Sequence, residues 1–118
     1  MAEDQDKRKY LRIDATYVVS YCAKKVSPYY NISQTRNISQ GGAVFTTNKV
    51  FSKGMILTMT MKFPFLIGKK IEVQAQVMDS KKLGGDIYNT RVKFLDLDPE
   101  VFKKFGEFIK QNKDAKSE

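Results

Sequence analysis

Two short stretches hold the residue types that could bind a ligand. The first is Lys7-Arg8-Lys9-Tyr10-Leu11-Arg12, a basic run near the N-terminus. A guanidinium is planar and always charged. It pairs bidentately with phosphate or with the O6/N7 edge of guanine, and its face stacks on a base. In a helix Arg8 and Arg12 would share a face; in a bent segment both could close on one ligand. Taken alone, such a run is more often a solvated charge cluster. The second stretch is Asn37-Ile38-Ser39-Gln40-Gly41-Gly42. Asn offers a donor and an acceptor, and Ser adds a hydroxyl. Gly41 and Gly42 permit positive φ and lack the Cβ atoms that would hold a ligand off the backbone. Taken alone, a tight turn between strands explains this stretch better than a ligand site. Asn31-Ile32-Ser33-Gln34 echoes its first four residues but has no glycines after it. The echo is too short for a structural repeat: the first copy reads as strand and the second as a corner.

Most other chemistry is absent. There is no histidine, so His-based acid–base work, His triads and His-ligated metals are excluded. Cys22 is the only cysteine; it permits no intrachain disulfide and no structural zinc site, and a reducing, intracellular setting is the simplest one. Nothing near it in sequence would lower its pKa, so a catalytic role is not expected. Neither a P-loop nor GxGxxG occurs, and the acidic residues are scattered. Both Asn-Ile-Ser triplets match the glycosylation pattern, which requires secretion; the N-terminus, acidic and then basic, has no apolar segment of a secretory signal. An enzyme is not expected, nor is a metal or a cofactor.

The 21 Lys and Arg against 13 Asp and Glu give a formal charge of +8. That excess favours anionic partners without choosing among nucleotides, nucleic acid, acidic lipid and an acidic protein face. A length of 118 residues fits one domain, and 42% hydrophobic residues supply one modest core. No apolar run approaches the ~20 residues of a membrane helix.

The two stretches need a scaffold, and the pattern supplies one. Residues 1–7 read as a loose polar tail. Alternation from Ala15 to Cys22 predicts a strand, and Ser27-Pro28 a turn. Further strands are expected over Tyr30–Ile38, Ala43–Thr47, Met55–Phe63, Ile71–Val77 and Tyr88–Phe94, with turns at Ser52-Lys53-Gly54 and Leu83-Gly84-Gly85-Asp86. The period then changes. Asp98-Pro99-Glu100 is a helix start, and Val101, Phe102, Phe105, Phe108 and Ile109 follow at helical spacing. Gly106 costs this helix up to about 1 kcal/mol relative to Ala, which points to close packing there. Residues 114–118 read as a frayed end. The fold expected is mainly β: a six-stranded antiparallel barrel over about 13–97 with a C-terminal helix over about 98–113.

Together, Arg8-x-x-x-Arg12 and Asn37-x-Ser39-x-x-Gly42 resemble the paired RxxxR and [D/N]xSxxG motifs of PilZ domains, in the right order and at a fitting separation. Val92-Lys93-Phe94 before the helix is similar to the end of the last strand in that family. The likeness covers roughly Lys7 to Ile109, a single domain over 8–113. It implies a split barrel and a cytoplasmic bacterial receptor for cyclic di-GMP. It also implies that Arg8 and Arg12 bind phosphates and guanine edges, that Asn37 hydrogen-bonds a guanine, that Ser39 meets a polar edge and that Gly42 leaves space. Lys7, Gln40 and Gly41 are secondary candidates. Asp is the commoner family choice at position 37, so Asn37→Asp is expected to bind more tightly. Residues 1–12 are expected to be mobile until the ligand clamps them, and a downstream protein would read the change. The alternatives are a PilZ-like adaptor that binds no ligand, and a basic barrel that stacks single-stranded nucleic acid on Tyr29, Tyr30 and Tyr88; nucleic acid is the last-ranked partner.

Overall fold

The period-two stretches become strands because their alternate β-branched, aromatic and Met side chains can be buried on one face. The computed structural model describes residues 10–63 and 69–116, with side chains as far as residue 111. Among the described residues the strands are β1 (Arg12–Asp14), β2 (Val18–Cys22), β3 (Asn31–Ser39), β4 (Gly42–Thr47), β5 (Ile56–Lys62), β6 (Lys70–Gly84) and β7 (Ile87–Phe94), followed by helix α1 (Pro99–Lys116). β3, β2, β5, β6, β7 and β4 form an antiparallel ring that closes through β3–β4 pairing. The expected six-stranded barrel with a C-terminal helix is the fold. Val19, Ile38, Phe45, Leu57, Met59 and Val77 fill its interior.

Three features depart from the pattern. The first expected strand, Ala15–Cys22, forms only over Val18–Cys22, and an unexpected short strand, Arg12–Asp14, precedes it. β1 and β2 lie in sequence along one edge of β3, separated by Ala15–Tyr17. Buried Thr35 bridges the break: its hydroxyl accepts from the Tyr17 N–H at 2.9 Å and donates to the Ala15 carbonyl at 2.6 Å, so the interruption leaves those backbone groups paired. Second, β6 runs on to Gly84 and pairs with β7 as far as Gly84↔Ile87, while β4 leaves β7 at Thr47↔Tyr88. The hairpin, turned by Gly85 at φ +55°, therefore projects past β4. Third, α1 continues through Lys116, into the part expected to fray.

Asp98 caps α1 as expected, its carboxylate accepting from the Glu100 N–H at 2.8 Å. Phe105 is buried, with its ring 5.0 Å from that of Phe63 and 6.3 Å from that of Phe94; α1 thus covers the barrel end where β5 and β7 finish. Cys22 is buried, and its thiol donates to the Ser27 carbonyl at 3.1 Å.

Burial raises the phenol pKa of Tyr17 and, despite a backbone hydrogen bond that lowers it, that of Tyr21. Above the unfolded phenol value near 10, the unfolded chain loses protons that the folded one retains, so stability falls as pH rises there. With no histidine, no side-chain group with an unperturbed pKa between 5 and 8 titrates. Urea midpoints are expected to be flat from about pH 6 to 9 and to drop above about pH 10. A break near pH 6.5 would contradict this.

Candidate ligand-binding face

A bulge in β3 exposes the second motif. The register with β4 shifts between Thr35 and Asn37, which reverses the side-chain alternation. Thr35 points inward before the bulge and Ile38 after it. The two echoed tetrapeptides therefore face opposite ways: Ile32 is 78% exposed and Ile38 is 0% exposed. Asn37 and Ser39 alternate with buried Ile38 and so lie on the outer surface.

β1 brings the first motif to them. Its antiparallel register sets Arg12 opposite Ser39 and Asp14 opposite Asn37. Arg12, Asn37 and Ser39 line one open cleft of about 280 Å³, with Tyr10 at one side and Arg91 and Lys93 of β7 at the other. Arg8 and Lys7, the other basic residues singled out, lie outside the described residues. Arg12 sits in a strand and Tyr10 packs against α1, its ring 5.6 Å from Phe102 and edge-on at 81°. Of residues 1–12, expected to be mobile until ligand binds, Tyr10–Arg12 are thus placed beside β3 and α1, and residues 1–9 lie outside the described residues.

The remaining candidates have internal work. Ser39 Oγ accepts from the N–H groups of Gly41 at 3.1 Å and Gly42 at 3.2 Å; it shapes the corner after β3. Gln40 points away from the cleft, donating from Nε2 to the Phe102 carbonyl at 2.8 Å. A Cβ on Gly106 would collide with that amide, which is the close packing its place in the helix suggested. Gly41 and Gly42 do not use the positive φ that glycine permits; it is the missing Cβ that counts at both. Gly41 leaves room for the Tyr10 ring, 2.7 Å from where a Cβ would sit, and a Cβ on Gly42 would overlap the Val92 carbonyl of β7. These glycines bring chain elements together.

Arg91 and Lys93 were missed by sequence reasoning. Their parity opposite buried Val92 and Phe94 was legible, but their approach to the motifs depends on β4 lying between β3 and β7, which no local pattern states. Arg91 is held by Asp79 at 2.7 Å, a half-exposed pair. With Arg12 they give the cleft three cations. Among the described residues no group of three or more His, Cys, Asp or Glu could hold a metal, and no helix is long and apolar enough to cross a membrane.

The model of one family, the PilZ domain, matches residues 6–111. The chain belongs to the PilZ domain family. No curated protein matches its sequence. Solved structures do match this PilZ chain in fold. The Bacillus subtilis inhibitor of motility MotI/DgrA superposes with a TM-score of 0.82 at 17% identity, over 95% of this chain and 54% of that one. The PilZ domain of Escherichia coli YcgR, solved with c-di-GMP, gives 0.67 at 17% identity over 94% and 95%. The K. pneumonia MrkH–c-di-GMP complex gives 0.69 at 13% identity over 94% and 55%. The PilZ chain thus spans about half the length of MotI and of MrkH.

Proposed function

We propose that this PilZ domain is a c-di-GMP receptor that uses the outer face of β1, β3 and β7. The β1–β3 register carries the reading, since it sets the arginine of one motif beside the polar residues of the other. Arg12, with Arg8 from the preceding segment, pairs with phosphate and guanine edges. Asn37 hydrogen-bonds a guanine. Ser39 and Gly42 hold the corner that frames the site, and Arg91 and Lys93 add positive charge for the two phosphates. Each charge-assisted hydrogen bond is worth about 1.5–3 kcal/mol before ordering costs are subtracted. The Arg91–Asp79 pair is half-exposed, and such pairs contribute about 0–1 kcal/mol, so Arg91 can turn to a phosphate at small cost. The ligand is itself the signal, and no cofactor, metal or catalysis takes part.

The signal leaves by closure of the segment before Tyr10 over the ligand. Tyr10 and Gln40 both touch Phe102, so the change reaches α1 and the surface beside it, where a downstream protein reads it. A cytoplasmic bacterial setting goes with this role.

Isothermal titration of c-di-GMP, with GTP as control, tests the reading. Saturable heat with c-di-GMP and none with GTP is expected. A folded sample that gives no heat with c-di-GMP sinks it and leaves the adaptor that binds no ligand. The register adds a condition on Asn37→Asp. Its new carboxylate would gain a charged bond to guanine but stand opposite Asp14, and like charges directly opposite in a sheet repel. Tighter binding is therefore expected to be modest in Asn37→Asp and larger in Asn37→Asp/Asp14→Asn. Weaker binding in both variants would rule out the guanine contact.

A further inference from the structure

The ligand face continues into a trough along β3. The first cleft shares Asn37 and Val44 with a polar one, which shares Arg36 and Thr46 with a third. The third is the largest of them, about 660 Å³, and differs in character. Its lining comes mainly from β3, the end of β4 and the β6–β7 hairpin. Ile32, Leu83 and Ile87 line it, 78%, 52% and 54% exposed. Single exposed aliphatic residues are ordinary on protein surfaces; three converging on one concavity mark a contact site. The bulge that turns Asn37 and Ser39 outward also leaves Ile32 facing out, so one strand presents both sites.

We propose that this third cleft docks an acidic, apolar segment of a partner protein. Arg36 is exposed in its lining, and Lys49, Lys81 and Lys82 are exposed on the adjoining loop and hairpin. In a chain of charge +8, that rim selects carboxylates. The same charge opposes a second copy of the chain, which would set one basic rim against another. The exposed apolar side chains of the lining are aliphatic, set beside polar Asn31, Ser33 and Asn48, and its aromatic residue, Tyr21, is buried; the cleft therefore offers no platform for stacked bases, and single-stranded nucleic acid is disfavoured. Partner side chains would fill the space between Ile32, Leu83 and Ile87, with a flanking carboxylate on Arg36. This docking does not require c-di-GMP, so its test is independent of the ligand reading.

The probe is a synthetic twelve-residue peptide alternating aspartate with leucine, titrated into the ¹⁵N-labelled protein and followed by amide shifts. Its counterpart alternating lysine with leucine is the control. Saturable shifts at Ile32, Arg36, Leu83 and Ile87 are expected with the acidic peptide only. Ile32→Asp, at an exposed position, should keep the spectrum of the folded protein and weaken binding at least tenfold. Absence of saturable shifts, an equal response to the lysine peptide, or undiminished binding by Ile32→Asp would overturn the proposal. So would a dimer in sedimentation that Ile32→Asp dissociates, since the occupant would then be a second copy.

Discussion

Gly42→Ala is expected to lose about 2–3 kcal/mol of folding stability and roughly 10 °C in Tm. The added Cβ would overlap the Val92 carbonyl and crowd the Lys93 Cα, all backbone atoms of β7. No rotamer change relieves such a clash, so β4 must move off β7. The Gly42↔Lys93 and Ala43↔Val92 pairs are the ones disturbed, and the ring is weakened beside its β3–β4 closure. Domains of this size have about 5–15 kcal/mol of stability in all, so the loss is a large share. Gly84→Ala is the control: nothing lies within 4 Å of its Cβ position and its φ is not positive, so a change within about 0.5 kcal/mol is expected. Urea denaturation of the three proteins decides. A Gly42→Ala midpoint equal to the wild type would mean that the β4–β7 register yields easily, and the structural role given to this glycine would be wrong.

Arg8→Ala/Arg12→Ala is expected to weaken c-di-GMP binding by about 10²–10⁴-fold, the equivalent of two charge-assisted interactions of about 1.5–3 kcal/mol each. The single variants need not add, because both guanidinium groups address one ligand. Arg12→Lys should fall between the wild type and Arg12→Ala, since an ammonium keeps the charge but loses the planar fork. A urea midpoint for each variant separates a binding effect from loss of β1, in which Arg12 sits. If the double variant binds like the wild type, the RxxxR segment is not the clamp. Lys93→Ala would then show whether β7 alone holds the anion.

Local periodicity carried most of the architecture. β5 was legible from Leu57, Met59 and Met61, which alternate into the core, and α1 from its Asp98 cap and its Phe spacing. Ring order was not legible, because strand partners are chosen by packing across the whole barrel. The site divides along the same line. Arg12, Asn37 and Ser39 were readable as motif residues and meet in one cleft. Arg91 and Lys93 reach it only through strand order. The bulge at Thr35–Asn37 was also hidden: it inserts a half-period that composition does not announce, and Ile32 and Ile38 look equivalent until it is counted. Gln40 turns from the cleft to α1 for a plainer reason. An amide suits a guanine edge and a helix carbonyl equally well, and the gap left by Gly106 decided for the carbonyl.

The lone thiol offers an experimental handle. Cys22 is 1% exposed, with its hydrogen to the Ser27 carbonyl, and a thiol shielded from solvent reacts with alkylating reagents only when the protein opens around it. Its labelling rate in native buffer is therefore a clock for opening of the barrel. A cysteine placed at a surface position would label within the shielded lifetime of Cys22, so a fluorophore can be attached there without first removing the native residue.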